Sequence, residues 1–203
     1  MLHLGKRNFG IDAVEARVEY DLKNGFHHLS FPIAEMLGEP KREKLVRKSI
    51  NGVMLRKFDG SPADQYKLEQ YDSKMHVIPR IAFFRQWIDI AVTTTFAAYN
   101  KSSGDIKGFG CIQPIEGGHY QIGPVFAETA EIGKQLMTEL FLNVSEGRKV
   151  GIDVPLDHAA SVEFSKEHDM VEVLKLYRMY TGKVLEFEMD KIFAFTTMGI
   201  ALV

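Results

Sequence analysis

GIDVPLDHAASVEF, residues 151–164, restates a pattern already used at GIDAVEARVEY, residues 10–20. Gly10-Ile11-Asp12 matches Gly151-Ile152-Asp153, and after a gap of three residues Val18-Glu19-Tyr20 matches Val162-Glu163-Phe164. Phe26 then falls opposite Met170 and Gly38 opposite Gly182, so one offset holds from 18–38 to 162–182. Apolar and turn positions coincide along with the letters, as a structural repeat requires. Each copy reads strand, helix, strand. The helices are expected at about Val14–Lys23, closed by the left-handed stop Asn24-Gly25, and at about His158–His168. The strand-like runs FHHLSFPIAEML and VEVLKLYRMY follow them.

Between the copies, GEPKREKLVRKSINGVMLRKFDGSPADQ (residues 38–65) is rich in Lys, Arg, Gly and Pro and reads as a linker over 41–65. Its basic run, Lys41, Arg42, Lys44, Arg47 and Lys48, has no interleaved aromatic residue on which a base would stack, so nucleic acid is not an expected partner. From Tyr66 the periodicity is regular. YKLEQYDSKMH is a helix, and Pro79 suits the first turn of a second, PRIAFFRQWID, with Ile81, Phe84 and Ile88 on one face. TTTFAAYN, IKGFGCIQPI and HYQIGPVFA are three strands separated by SSGD and EGG turns. Thr129–Val144 is the clearest helix, with Ile132, Leu136, Leu140 and Val144 four apart. RKVGIDVP leads into the second copy, and the tail KVLEFEMDKIFAFTTMGIAL supplies one or two strands. This order predicts an α/β (α+β) mixed sheet with helices on both faces, preceded by a partial strand–helix–strand unit.

Composition sets bounds. Of 203 residues, 45% are apolar and 26% charged, enough to bury a core without staples. The net charge of −2 calls for neither nucleic acid nor an acidic membrane. Cys111, the single cysteine, cannot form an internal disulfide, which fits a reducing, cytoplasmic compartment. MLHLGKRNFG lacks the apolar run of a signal peptide, and no stretch approaches the ~20 apolar residues of a membrane span.

Three segments resemble the GNAT superfamily of acetyl-CoA-dependent N-acetyltransferases, in particular its tandem branch. YQIGPVFAETAEIGKQLM resembles the central strand, cofactor loop and following helix; GIDVPLDHAASVEFSKEHDM resembles the next strand and helix; LYRMYTG resembles the strand after it. The resemblance covers about 66–203 as a GNAT-like domain and makes 1–40 the closing part of an upstream unit. It implies acetyl-CoA as cofactor, a small-molecule or peptide amine as acceptor, and allows a homodimer. It also implies that the central strand splays from its neighbour to admit the cofactor's pantothenate arm. Gly123-Pro124 suits a splay because proline removes a ladder donor; a simple bulge is the alternative. The implied cofactor contacts are Ile122, Gly123, Val125, Ala130, Gly133 and Lys134, with the Val125 N–H polarising the thioester carbonyl.

The chain departs from the family pattern in two places. The usual loop, Gln/Arg-x-x-Gly-x-Gly/Ala, is replaced by ETAEIGK, where only Gly133 can stand in for a glycine and Glu128 and Glu131 oppose a phosphate. In the helix of the second copy, His158, Ser165 and Asp169 hold the family's Asn, Tyr and Gly positions. That tyrosine often serves as general acid, and Ser165 is a poor substitute. Tyr177 is the replacement expected, with Tyr180 beside it as a second choice. Asp153 is the expected general base, although its repeat twin Asp12 gives a structural turn role equal standing. No His or Cys spacing suggests a metal site, Cys111 and Trp87 read as core, and a catalytically retired binding or dimerisation module is the alternative to an enzyme.

Overall fold

The computed structural model of the chain describes residues 8–89 and 91–196. The two copies of the repeat interlock within it. Copy one is β1 (Gly10–Val14), α1 (Val18–Lys23) and β2 (His28–Gly38); copy two is β7 (Val150–Pro155), α5 (Ala159–Glu167) and β8 (Val171–Tyr180). The first strand of each copy pairs antiparallel with the second strand of the other, β1 with β8 and β7 with β2, and β2 and β8 pair in the middle. Neither copy closes on itself. The expected helix in copy one is shorter than its pattern, because Glu15–Arg17 form a 3-10 turn before α1 begins.

The remaining strands extend the same sheet. β3 (Val53–Lys57), β4 (Thr94–Asn100), β5 (Ile106–Pro114) and β6 (Tyr120–Ala127) form an antiparallel run that joins β7 through the one parallel pairing, giving the order β1-β8-β2-β7-β6-β5-β4-β3. A short β9 (Ile192–Ala194) lies off this path, against β6. Residues 197–203 of the expected tail lie outside the described residues.

α4 (Ala130–Leu142) and α5 cover one face, where Ile132, Leu136, Met137, Leu140, Phe141 and Phe164 join a core with Ile122, Ile152 and Val154. The four-residue spacing that predicted α4 is the spacing of this buried stripe. α2 (Pro62–Met75) and α3 (Ile81–Trp87) cover the other face through Leu68, Tyr71, Met75 and Phe84, packed on Phe109 and Phe126. Cys111 is buried there as a small apolar residue, and burial pushes its thiol up to about 12.

The linker expected at 41–65 is instead structured. It carries β3 at the sheet edge, and α2 already begins at Pro62. Its basic run is a set of clamps. Lys41 and Lys44 reach Asp169 at 2.5 and 2.8 Å, Arg47 reaches Glu139 at 2.6 Å, and an Arg42 Nη2 donates to the Val144 carbonyl at 2.7 Å. Asp169 closes α5 with φ +56°, the left-handed conformation that explains a glycine at this place in the family and that Asp tolerates better than most. Arg56 and Lys57 at an edge strand obscure β3 in the sequence, while discouraging edge-to-edge pairing.

His168, next to Asp169, is buried against the rings of Phe164 and Phe141 at 4.3 and 5.7 Å, and burial holds its pKa below the ordinary 6.5. The unfolded chain therefore binds this proton first, so the neutral ring's contribution is complete above pH 6.5 and is lost as pH falls below it. Urea melts between pH 5 and 7.5 should show this slope in the wild type and a shallower one in His168→Phe.

Candidate active site

The parallel ladder between β6 and β7 is short. It runs from Tyr120–Ile122 against Val150–Ile152 and then stops. On the other flank of β6 the register with β5 shifts between Gly110 and Ile112, so that Gly123 and Pro124 stand against the single residue Cys111. Both flanks thus break at Gly123-Pro124, where a splay or a simple bulge was expected: the β5 side is a bulge and the β7 ladder ends. Beyond this point β6 and β7 diverge and leave a wedge.

The wedge is filled by the chain itself. β9 pairs antiparallel with β6, Ala194 opposite Val125 and Ile192 opposite Phe126. On the other side the Phe195 N–H donates to the Asp153 carbonyl at 2.9 Å, so the segment bridges both lips. Ile192, Phe193 and Ala194 are buried in the adjoining cores. Burial of the two large side chains stabilises this closure by about 1.5–3 kcal/mol each. Further ties hold the segment. Arg80 Nη1 donates to Thr196 Oγ1 at 2.7 Å, Lys191 lies 3.3 Å from Glu128, and His158 Nε2 is 3.0 Å from the Asp190 carbonyl. The space left beside Phe195 and Thr196, between His76, Arg80 and Arg178, is about 20 Å³, room for about one water.

Two expected cofactor contacts therefore have a different neighbour. A Cβ on Gly123 would lie 2.0 Å from the Phe195 carbonyl oxygen, and Gly123 itself has φ +154°, a conformation side chains rarely adopt. A Cβ on Gly133 would lie 2.2 Å from the Phe193 ring. Both glycines allow the close approach expected of a cofactor site, but to residues 193–196. Ile122 is core on the α4 face, Val125 faces Ala194, and Ala130 is exposed at the start of α4. The Lys134 ammonium is engaged by the Glu163 carboxylate on α5, 2.6 Å away.

Several amides around the start of α4 have partners within the chain. Thr129 Oγ1 caps the Ile132 N–H at 3.3 Å, the Gly133 N–H donates to the Thr129 carbonyl, and the Glu128 N–H donates to the Lys107 carbonyl. These amides are engaged within the chain, as a capped helix start requires. Residues 192–196 fill the space in which the resemblance places a pantetheine arm, so such an arm does not fit there while that segment occupies it.

The two candidate catalytic residues are not brought together. On β7 Ile152 and Val154 join the α4 core, so Asp153 points to the opposite face. On β8 Leu176 packs with Phe31 and Ile33 on that same opposite face, so Tyr177 points away from it. Two strand positions also separate them, with β2 in between. The Tyr177 hydroxyl donates to Glu15 Oε1 at 3.2 Å. Tyr177 thus ties β8 to the turn before α1 and does not meet Asp153. Tyr180, the second choice, is buried, and burial pushes its phenol above its ordinary value. Ser165 is buried within α5, donating to the Ser161 carbonyl at 2.9 Å. His158, at the family's Asn position, caps α5 by accepting from the Ser161 N–H at 3.2 Å.

Asp153 is buried on the wall of the wedge, 3.4 Å from Gln121 Nε2. Glu35 stands directly opposite it on β2, so the two carboxyl groups form a cross-strand pair. Burial pushes the Glu35 carboxyl above its ordinary value. Sequence reading missed Glu35; its signal is a lone acid in the apolar strand FPIAEML. Trp87, expected as plain core, is half-buried and donates its indole N–H to the Gly123 carbonyl at 3.0 Å, at the mouth of the wedge.

Comparisons with known proteins agree with the topology. Residues 68–194 match the family of acetyltransferase (GNAT) domains, and the chain belongs to that family. It is similar to a holothin acyltransferase of Pseudoalteromonas sp. (strain SANK 73390), 23% identical over 198 residues, which cover 98% of this chain and 64% of that protein. Among solved structures it is similar to a proposed acetyltransferase from Pyrococcus horikoshii (TM-score 0.68, 18% identity, covering 94% of this chain and 58% of that one). It is also similar to a tandem GNAT protein from the clavulanic acid biosynthesis pathway (TM-score 0.60, 12% identity, 88% and 65%). The chain spans less than two thirds of the length of each. No helix among the described residues is long and apolar enough to cross a membrane, and no group of three or more His, Cys, Asp or Glu among them is placed to hold a metal.

The contact between Gly133 and Phe193 predicts a change of sign. Gly133→Ala should destabilise the wild type by about 1–3 kcal/mol through overpacking. In a Phe193→Ala background the same change should stabilise by up to about 1 kcal/mol, because alanine is the better helix former. Denaturant unfolding of the four proteins completes the cycle.

Proposed function

We propose that the chain is an acyltransferase that moves an acetyl group from acetyl-CoA to the amine of a small molecule or peptide. The observation that carries this reading is the divergence of β6 and β7 at Gly123-Pro124, within a chain that belongs to the GNAT acetyltransferase family. The acyltransferase similar to 98% of this chain supports the same class. The donor would lie along β6 near Gly123 and Val125 and would supply the activated acyl group. Residues 192–196 must be out of the wedge when it does.

The chain's own contribution is the pair Asp153 and Glu35. An amine attacks only when neutral, and Glu35 is a half-buried carboxyl that burial holds above its ordinary pKa, the direction that makes a carboxylate a stronger base. Asp153 is the proposed base, and Glu35 the residue through which the pair holds or passes on that proton. Residues 66–203 are proposed as the acyltransferase domain, with 1–40 supplying β2 and thus Glu35. A second reading, a catalytically retired module, is favoured by one observation, the burial of Ile192–Ala194 inside the wedge.

Incubation with acetyl-CoA and a panel of primary amines, followed by release of the free thiol of coenzyme A, tests the reading. Asp153→Asn should lower turnover by about 10²-fold or more with the melting temperature retained, and Tyr177→Phe should leave it unchanged. Absence of thiol release with every amine, together with no thermal shift at millimolar acetyl-CoA, would favour the retired module.

A further inference from the structure

We propose that residues 192–196 are a displaceable strap that competes with the acyl donor for the wedge between β6 and β7; this rests on the acyltransferase reading above. The strap is held as a ligand would be held. It adds to β6 by strand pairing at Val125 and Phe126 and donates one backbone N–H, that of Phe195, to the Asp153 carbonyl. It places one ring, Phe193, in the space made by Gly133, against the His158 ring at 4.2 Å between centroids.

The contacts also show how it can leave. β9 has three residues, and its ladder to β6 shifts register between its two pairs. The approach to it, residues 181–188, contains no helix or strand. The ties at its two ends, Lys191 to Glu128 and Thr196 to Arg80, are polar side-chain contacts, and Lys191 and Glu128 are partly exposed. The Arg80 guanidinium keeps Asp72 as its partner at 2.7 and 2.9 Å whether or not Thr196 is present. Departure of the strap thus strands no charge. It uncovers the amide edge of β6 and the Gly133 face of α4, both of which need a new occupant. A donor arm that pairs with β6 would satisfy that edge. Because only the open fraction of molecules binds, the strap weakens apparent donor affinity by that fraction.

The test sets a loosened strap against a locked one. In Phe193→Ser the ring that fills the Gly133 space is gone. In Val125→Cys/Ala194→Cys, made with Cys111→Ala, the directly opposed positions of β6 and β9 lie within the Cα separation a disulfide spans. Acetyl-CoA binding is read by calorimetry and by the emission of Trp87, the chain's single tryptophan, whose indole bonds to Gly123. Amide exchange at 192–196 is read without ligand. Phe193→Ser should bind acetyl-CoA at least tenfold more tightly than wild type and exchange faster at 192–196. The locked protein should bind it only after reduction. Equal binding by the oxidised and reduced locked forms, or no gain from Phe193→Ser in a protein that binds, would overturn the strap and leave the acyltransferase reading standing. Failure of every variant to bind or turn over, with the fold confirmed by unfolding cooperativity, would remove the acyltransferase reading and the strap with it.

Discussion

Backbone amides and carbonyls inside a sheet need partners, and β6 loses its parallel partner after three paired residues. Everything around the candidate site answers that single constraint. The bulge of Gly123 and Pro124 against Cys111 breaks the β5 side of the ladder at the level where β7 turns away. Something with a strand-like edge must then run along Val125 and Phe126, and in this chain it is β9. The opening is therefore not empty space awaiting any ligand. Its occupant in this chain is an extended backbone, paired with β6 on one side and bonded to the Asp153 carbonyl on the other.

Much of this was legible in the sequence because it is local. The α4 stripe, the β4–β5–β6 run and the turn glycines depend on periodicity and on residues a few positions apart. The repeat was legible too, since matched letters at matched turns reveal two similar units. How they interlock was not, because strand pairing between copies is a contact across more than a hundred residues. Glycine shows the same divide. Gly123 and Gly133 announced a close approach, and a close approach exists, but a glycine does not say who approaches. The occupant proved to be a segment some sixty to seventy positions away, in a tail whose own pattern predicted only a strand. β3 was hidden for the opposite reason: an edge strand carries charge to prevent aggregation, and charge in a Gly- and Pro-bounded stretch resembles a linker.

The site residues divide in the same way. Asp153 was singled out from sequence because it stands in the repeated Gly-Ile-Asp motif; Glu35 was not, since only the register sets it opposite Asp153. Tyr177 was misplaced by a property that alternation alone could not decide, namely which face of β8 belongs to the wedge. That face is set by Leu176 packing with Phe31 and Ile33, contacts with the first copy.

Asp12 and Asp153, the twin acids of the repeat, bear on function more directly than the motif that contains them. Asp12 has Arg178 opposite it on β8 and forms a two-pronged ion pair, with Arg178 Nη2 donating to Asp12 Oδ2 at 2.9 Å. Its charge is compensated, and its role is to tie β1 to β8. Asp153, in the matching place, has Glu35 opposite. A cation in place of Glu35 would have reproduced the cross-strand arrangement of Asp12. The two copies thus share a sequence signature and a strand geometry but differ in the sign of the facing charge. The carboxyl that burial holds above its ordinary pKa at this place is Glu35, supplied by the first copy. The repeat therefore keeps an acid in both places and sets it against different cross-strand neighbours, an arginine at Asp12 and a glutamate at Asp153.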